Sequence, residues 1–66
     1  MNELIFVVEE ASYTARALGE SIFTEAADLA QLQHQVRDAV LCHFDEEEAR
    51  PKLIRLHIVR EELIAV

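Results

Sequence analysis

The sequence predicts a small α+β domain, a mostly antiparallel sheet in the order β-β-β-α-β with one helix packed on one face. Three observations carry that expectation. Residues 4–8 form a run of β-branched and aromatic side chains, Leu4-Ile5-Phe6-Val7-Val8. Apolar residues then recur at three- and four-residue spacing behind Asp28, as one face of a helix requires. After Pro51, residues 52–59 return to two-residue alternation. Sixty-six residues accommodate one domain, covering 1–66.

The elements follow in order. Leu4, Phe6 and Val8 share one face of the first strand, and Ile5 and Val7 share the other. With apolar residues on both faces, that strand is expected to be covered on both sides. Glu9-Glu10-Ala11-Ser12 reads as a turn short enough for an antiparallel hairpin. Residues 13–18 make the second strand, with Tyr13, Ala15 and Ala17 on one face and Thr14 and Arg16 opposite. Gly19-Glu20 breaks the chain again, and residues 21–24 are expected as a short third strand.

Asp28 is a suitable helix N-cap, and Gln31 stands three residues later, where a capping box takes Glu or Gln. Leu29, Leu32, Val36, Val40 and His43/Phe44 form one stripe. His34, Asp38, Cys42 and Asp45 lie near the opposite side, and Leu41 sits off the stripe as a second contact. Glu46, Glu47 and Glu48 are expected to end the helix, against its macrodipole, and Arg50-Pro51 to stop it. In the fourth strand Ile54, Leu56 and Ile58 share an apolar face, while Leu53, Arg55, His57 and Val59 share a mixed one. Beyond the polar Arg60-Glu61-Glu62, residues 63–66 are expected to return as a fifth strand in a hairpin, with continuation of the fourth strand as the alternative.

One helix covers one sheet face, so the other face needs a second cover. A chain this small gains from burial about what ordering costs it, and there is neither a disulfide nor an evident metal to add to the balance. Self-association is therefore expected, as a dimer or tetramer. Ile5, Val7, Leu63, Ile64 and Val66 are the candidate oligomer contacts.

Composition narrows the function. Hydrophobic residues make up 52% of the chain, and Gly and Pro occur once each, which argues against a disordered segment. Six Lys+Arg against thirteen Asp+Glu give a net charge of −7. That balance disfavours phosphate backbones and anionic lipid and suits a basic protein partner. Residues 4–8 are too short for a signal peptide or a membrane span, which takes about 20 apolar residues. The expectation is a soluble, cytoplasmic chain with Cys42 reduced. No membrane association and no cofactor are expected.

Tyr13-Thr14-Ala15-Arg16, then Gly19, then Ile22-Phe23-Thr24-Glu25-Ala26 with Asp28-Leu29 opening a helix, resembles the HicB-like antitoxin family. Val36-Arg37-Asp38-Ala39-Val40 is similar to the helix of that family. The resemblance covers roughly the first two-thirds of the chain. It implies a β-β-β-α-β core with a partial ribonuclease H-like fold but without that enzyme's active site. It also implies binding to a small, basic, HicA-type toxin that cleaves messenger RNA. Here Ala11-Ser12 stand where glycines often precede the tyrosine, and Leu18-Gly19-Glu20 replaces a longer loop. With seven residues after Val59, the chain is expected to lack the C-terminal DNA-binding module many members carry, so no direct DNA binding is expected.

Several side chains invite chemistry and are weighed against plainer uses. His34, Asp38 and Cys42 recur every four residues on one helix face, and all three are acceptable zinc ligands. A straight helix spreads them over about 12 Å, too far for one ion at 2.0–2.3 Å, so no metal site is expected. Cys42 beside His43 suggests a dyad, but neighbours on a helix point about 100° apart, and a buried or half-buried structural cysteine is the expectation. The pairs Glu9-Glu10, Glu46-Glu47-Glu48 and Glu61-Glu62 fall at turns and ends, where solvation is the default, and residues 4–8 carry no acid. Arg16, Arg55 and His57 could line a nucleic-acid surface, but the net charge opposes it and ion pairing is expected instead.

The expected function is therefore a non-enzymatic, self-associating, antitoxin-like module that masks a small basic toxin. The alternative is a stand-alone structural oligomer with no toxin partner. No catalytic residue is assigned.

Overall fold

The computed structural model describes residues 2–66. The alternation of the first apolar run becomes β1 (Glu3–Glu9), in which Leu4, Phe6 and Val8 are buried while Ile5 and Val7 are only partly so. The chain turns through Glu10, Ala11, Ser12 and Tyr13 into β2 (Thr14–Ala17). Tyr13 takes a left-handed φ of 48° there, and the Ser12 N–H donates to the Glu9 carbonyl at 3.3 Å. A second reversal places Gly19 at φ 85° and leads into β3 (Phe23–Glu25). Ala15 is buried and Arg16 exposed, as their alternation predicts.

α1 (Leu29–His43) is the cover of the sheet. Asp28 caps it, its Oδ1 accepting from the Gln31 N–H at 2.8 Å. The Gln31 side chain reaches back to the Ala27 N–H at 3.4 Å, one residue beyond the usual capping-box target. Leu32, Val36 and Val40 are the buried stripe, and they close on Leu4, Phe6, Val8, Ala15 and Ile22. α1 lies closest to β2 and β3.

β4 (Leu53–Val59) completes a sheet of order β3-β2-β1-β4. β1 pairs antiparallel with β2, and β2 antiparallel with β3, as expected. β4 instead runs parallel to β1, pairing from Glu3 with Leu53 to Glu9 with Val59, so the sheet is mixed. The reason lies in the crossover. Three strands joined by two reversals leave β3 parallel to β1, the helix carries the chain back, and the next strand must again run with β1.

β2 excludes Tyr13 and Leu18, β3 runs over Phe23–Glu25 and not 21–24, and two later boundaries also differ from expectation. Leu63, Ile64, Ala65 and Val66 form no fifth strand, because residues 60–66 extend away without a partner strand and Leu63 is 99% exposed. α1 ends at His43, ahead of the three glutamates, which sit beside and within a separate 3-10 turn (Glu47–Ala49). Arg50 explains that early stop. Its Nε donates to the Phe44 carbonyl at 2.9 Å and its Nη2 to the Asp45 carbonyl at 3.4 Å, holding the chain in a turn where a helix would otherwise continue. As expected of a chain with one helix, the sheet face of Ile5 and Val7 has no cover of its own among the described residues.

Two substitutions measure these contributions in urea unfolding followed by circular dichroism. Phe6→Ala, at 0% exposure, is expected to cost about 3–5 kcal/mol and leave little folded chain. Asp28→Ala, which removes the cap, is expected to cost about 1 kcal/mol and leave the fold intact.

Candidate functional site

The uncovered sheet face is built by strand register. One row across it is Phe23, Arg16, Val7 and His57, and the next is Glu25, Thr14, Glu9 and Val59. Ile5 lies beside Arg55, and Glu3 beside Leu53. Phe23 is 65% exposed and Leu53 66%, so large apolar groups alternate with the cations of Arg16 and Arg55. The Arg55 guanidinium is paired with the Glu3 carboxylate. Arg16, Arg55 and His57 thus share the face, as the alternation predicts, and Arg55 forms a surface ion pair of the kind expected.

The outer face of α1 carries His34, Asp38 and Cys42, all exposed. Cys42 is not the buried or half-buried thiol expected; it is a free, solvated cysteine, because it lies opposite the Leu32–Val36–Val40 stripe. Among the described residues no group of three His, Cys, Asp or Glu side chains could hold a metal ion. His43 Nε2 lies 3.3 Å from Glu20 Oε2, tying the end of α1 to the loop between β2 and β3. The ring of His43 meets Phe44 edge-on, with centroids 4.9 Å apart.

Charge is distributed unevenly. Glu46, Glu47 and Glu48 line a shallow acidic concavity of about 500 Å³. Beside it, Arg37, Arg50 and Lys52 rim a groove of about 380 Å³ whose walls include Val40, Leu41, Leu53 and Ile54. These are three of the chain's six Lys and Arg residues. Their gathering was not anticipated from the sequence, although Arg50 and Lys52 flank Pro51 at the very start of β4. Leu41, expected as a second contact, is exposed and lines this groove.

Of the candidate oligomer contacts, Ile5 and Val7 lie half-buried on the uncovered sheet face, and Leu63, Ile64 and Val66 lie fully outside the body. The structure does not bring these two groups together. No helix among the described residues is long and apolar enough to cross a membrane.

Known proteins add a family to this geometry. A UPF0150 protein of Archaeoglobus fulgidus is 62% identical over 52 residues, which span 76% of this chain and 77% of that protein. The chain belongs to the UPF0150 family. A UPF0150 protein of Thermotoga maritima is 34% identical over 67 residues, spanning 97% of this chain and 93% of that protein. No family model and no solved structure matches the chain. The UPF0150 designation itself names no activity, substrate or partner.

Two measurements probe the helix face of this UPF0150 chain. Cys42 is expected to react with a thiol reagent in the native protein within a few-fold of its rate in denaturant, one equivalent per chain. Elemental analysis after dialysis is expected to find no stoichiometric zinc.

Proposed function

We propose that the chain is a non-enzymatic, HicB-like protein-binding domain that self-associates and masks a small basic toxin of the HicA type. The observation that carries this reading is acidity left unpaired on the surface. Thirteen carboxylate residues face six Lys and Arg residues. Among the described residues, side-chain ion pairs join Glu3 to Arg55 and Glu62 to Arg60, and the Glu20 carboxylate also contacts the His43 ring. Asp45, Glu46, Glu47 and Glu48 enter none, and all four are exposed. The resemblance of residues 13–29 to HicB-like antitoxins gives that acidity a partner of matching sign.

The mechanism is steric. An acidic surface docks on the basic, RNA-binding face of the toxin and keeps messenger RNA from reaching it. Opposite charge speeds encounter, while apolar contacts on the uncovered sheet face, including Phe23, set how long the complex lasts. Ile5 and Val7 on that face, with Leu63, Ile64 and Val66, are the side chains assigned to self-association. The same reading puts the chain in the cytoplasm, reduced at Cys42, without direct contact to DNA.

A second reading has its own support. The apolar residues 63–66 are exposed and unpaired. They suit a stand-alone oligomeric module that binds only its own copies.

Surface plasmon resonance with a small basic toxin of the HicA type separates the two. Affinity is expected to fall steeply as salt rises, and replacing Glu46, Glu47 and Glu48 by Gln is expected to slow association roughly tenfold. Messenger RNA cleavage by that protein is expected to stop at equimolar chain. Salt-independent binding, or no binding at low salt, favours the stand-alone module.

A further inference from the structure

The two edges of the sheet differ. β3 has three residues and offers little to a neighbouring strand. β4 has seven, carries neither Pro nor Lys, and presents its outer edge unpaired. Its helix-side residues are incompletely covered, because α1 lies over β2 and β3, and Ile58 is 44% exposed. Leu53 and Val59 are exposed on the opposite side. A long apolar edge of this kind is a template for another strand.

We propose that β4 pairs antiparallel with β4 of a second copy about a two-fold axis at Leu56, and that residues 60–66 of each copy then lie in the other's basic-rimmed groove. This rests on the self-association in the reading above and needs no toxin.

Register supports the axis. With Leu56 opposite itself, Ile54 faces Ile58 of the second copy, and Leu53 faces its Val59. Every exposed apolar side chain of β4 gains an apolar neighbour on its own side of the sheet. Moving the axis to Arg55 opposes two guanidiniums, and moving it to His57 sets Arg60 against Ile54. A one-residue slip joins the helix side of one copy to the open side of the other.

The arms follow from that axis. Continued past Val59, the chain passes the start of the other copy's β4, where Arg37, Arg50 and Lys52 rim the groove between α1 and β4. Arg60 comes abreast of Lys52, but Glu61 and Glu62 follow at Pro51 and Arg50, so two carboxylates lie among the cations of the rim, and Leu63, Ile64 and Val66 supply the apolar part. A chain cannot do this for itself. Residues 60–66 reach at most about 25 Å, the way back along β4 to Leu53 takes about 20 Å, and the reversal uses further residues. The molecule accordingly measures 52 × 20 × 17 Å, with a radius of gyration of 13.2 Å. A compact chain of this length has about 11 Å.

The experiment uses the full chain without toxin, in sedimentation equilibrium and disulfide trapping. The wild-type chain is expected to sediment as a dimer, or as a tetramer built from such dimers, at micromolar concentration. Ile58→Lys is expected to remain folded by circular dichroism and to weaken the dimer about a hundredfold, because a lysine at an apolar edge blocks pairing. In a Cys42→Ser background, mixing Leu53→Cys with Val59→Cys chains is expected to give a disulfide-linked pair, and Leu53→Cys alone none. Replacing Leu63, Ile64 and Val66 by Ser is expected to weaken the dimer about tenfold. A monomeric wild type, or a dimer that survives Ile58→Lys and dissociates with Phe23→Lys, overturns the proposal. Failure of toxin binding by a chain that dimerises in this way overturns the antitoxin reading alone.

Discussion

The structure depends on a single one-sided closure, in which three side chains of α1, Leu32, Val36 and Val40, meet the buried face of β1 and its neighbours. Among the described residues the buried set is eight, from Leu4 to Val40, and contains no polar side chain. A layer this thin cannot wrap the sheet. Because α1 comes nearest to β2 and β3, it covers β4 least, and among the described residues nothing covers the reverse face. The half-burial of Ile5 and Val7, the exposed Ile58 and the unpaired edge all follow from that geometry. Each is apolar surface that a larger domain would have covered with a second helix or sheet layer.

Much of the fold is legible in the sequence because it is governed by local periodicity. The alternation of Leu4, Phe6 and Val8 with Ile5 and Val7 assigns both faces of β1, and the Asp28–Gln31 pair marks where α1 starts. Spacing of four between Leu32, Val36 and Val40 names the buried stripe. The features missed are those governed by partners distant in space or by direction. Period-two alternation looks the same in parallel and antiparallel pairs, so the direction of β4 follows only from counting reversals through the helix. The stop at His43 depends on Arg50 folding back to the Phe44 carbonyl, a bond between two residues on opposite sides of the acidic run. The apolar residues 63–66 show the pattern of a strand, but a strand forms only where another offers its edge.

The candidate surfaces were legible to a lesser degree. Net charge is a property of composition, but which charges remain free depends on packing. Glu3 is taken up by Arg55 across the sheet, while Asp45, Glu46, Glu47 and Glu48 keep their charges in solvent. The opposite concentration, Arg37 with Arg50 and Lys52, arises because the end of α1 turns back beside the start of β4. Residues thirteen to fifteen apart in sequence meet there, beyond the reach of any helix or strand period. Cys42 is the simplest lesson of this kind. Cysteine is often buried, yet its position on the wheel opposite Val36 and Val40 decides the matter, and geometry outweighs residue preference.

Edge pairing and face binding make different demands, and this sheet allows both. Joining two β4 edges would use backbone groups and the side chains of one strand, and it would leave Phe23, Arg16 and His57 exposed on each copy. The joined sheet would then present one continuous face from two chains, flanked by the acidic turns. Such a face would double the apolar area open to the proposed basic partner and would carry two sets of carboxylates. Encounter with that partner would be steered by charge from both copies at once. Under the proposed pairing, dimerisation would do more than shelter apolar surface. It would widen the platform toward the roughly 800 Å² per partner that a firm protein interface typically takes.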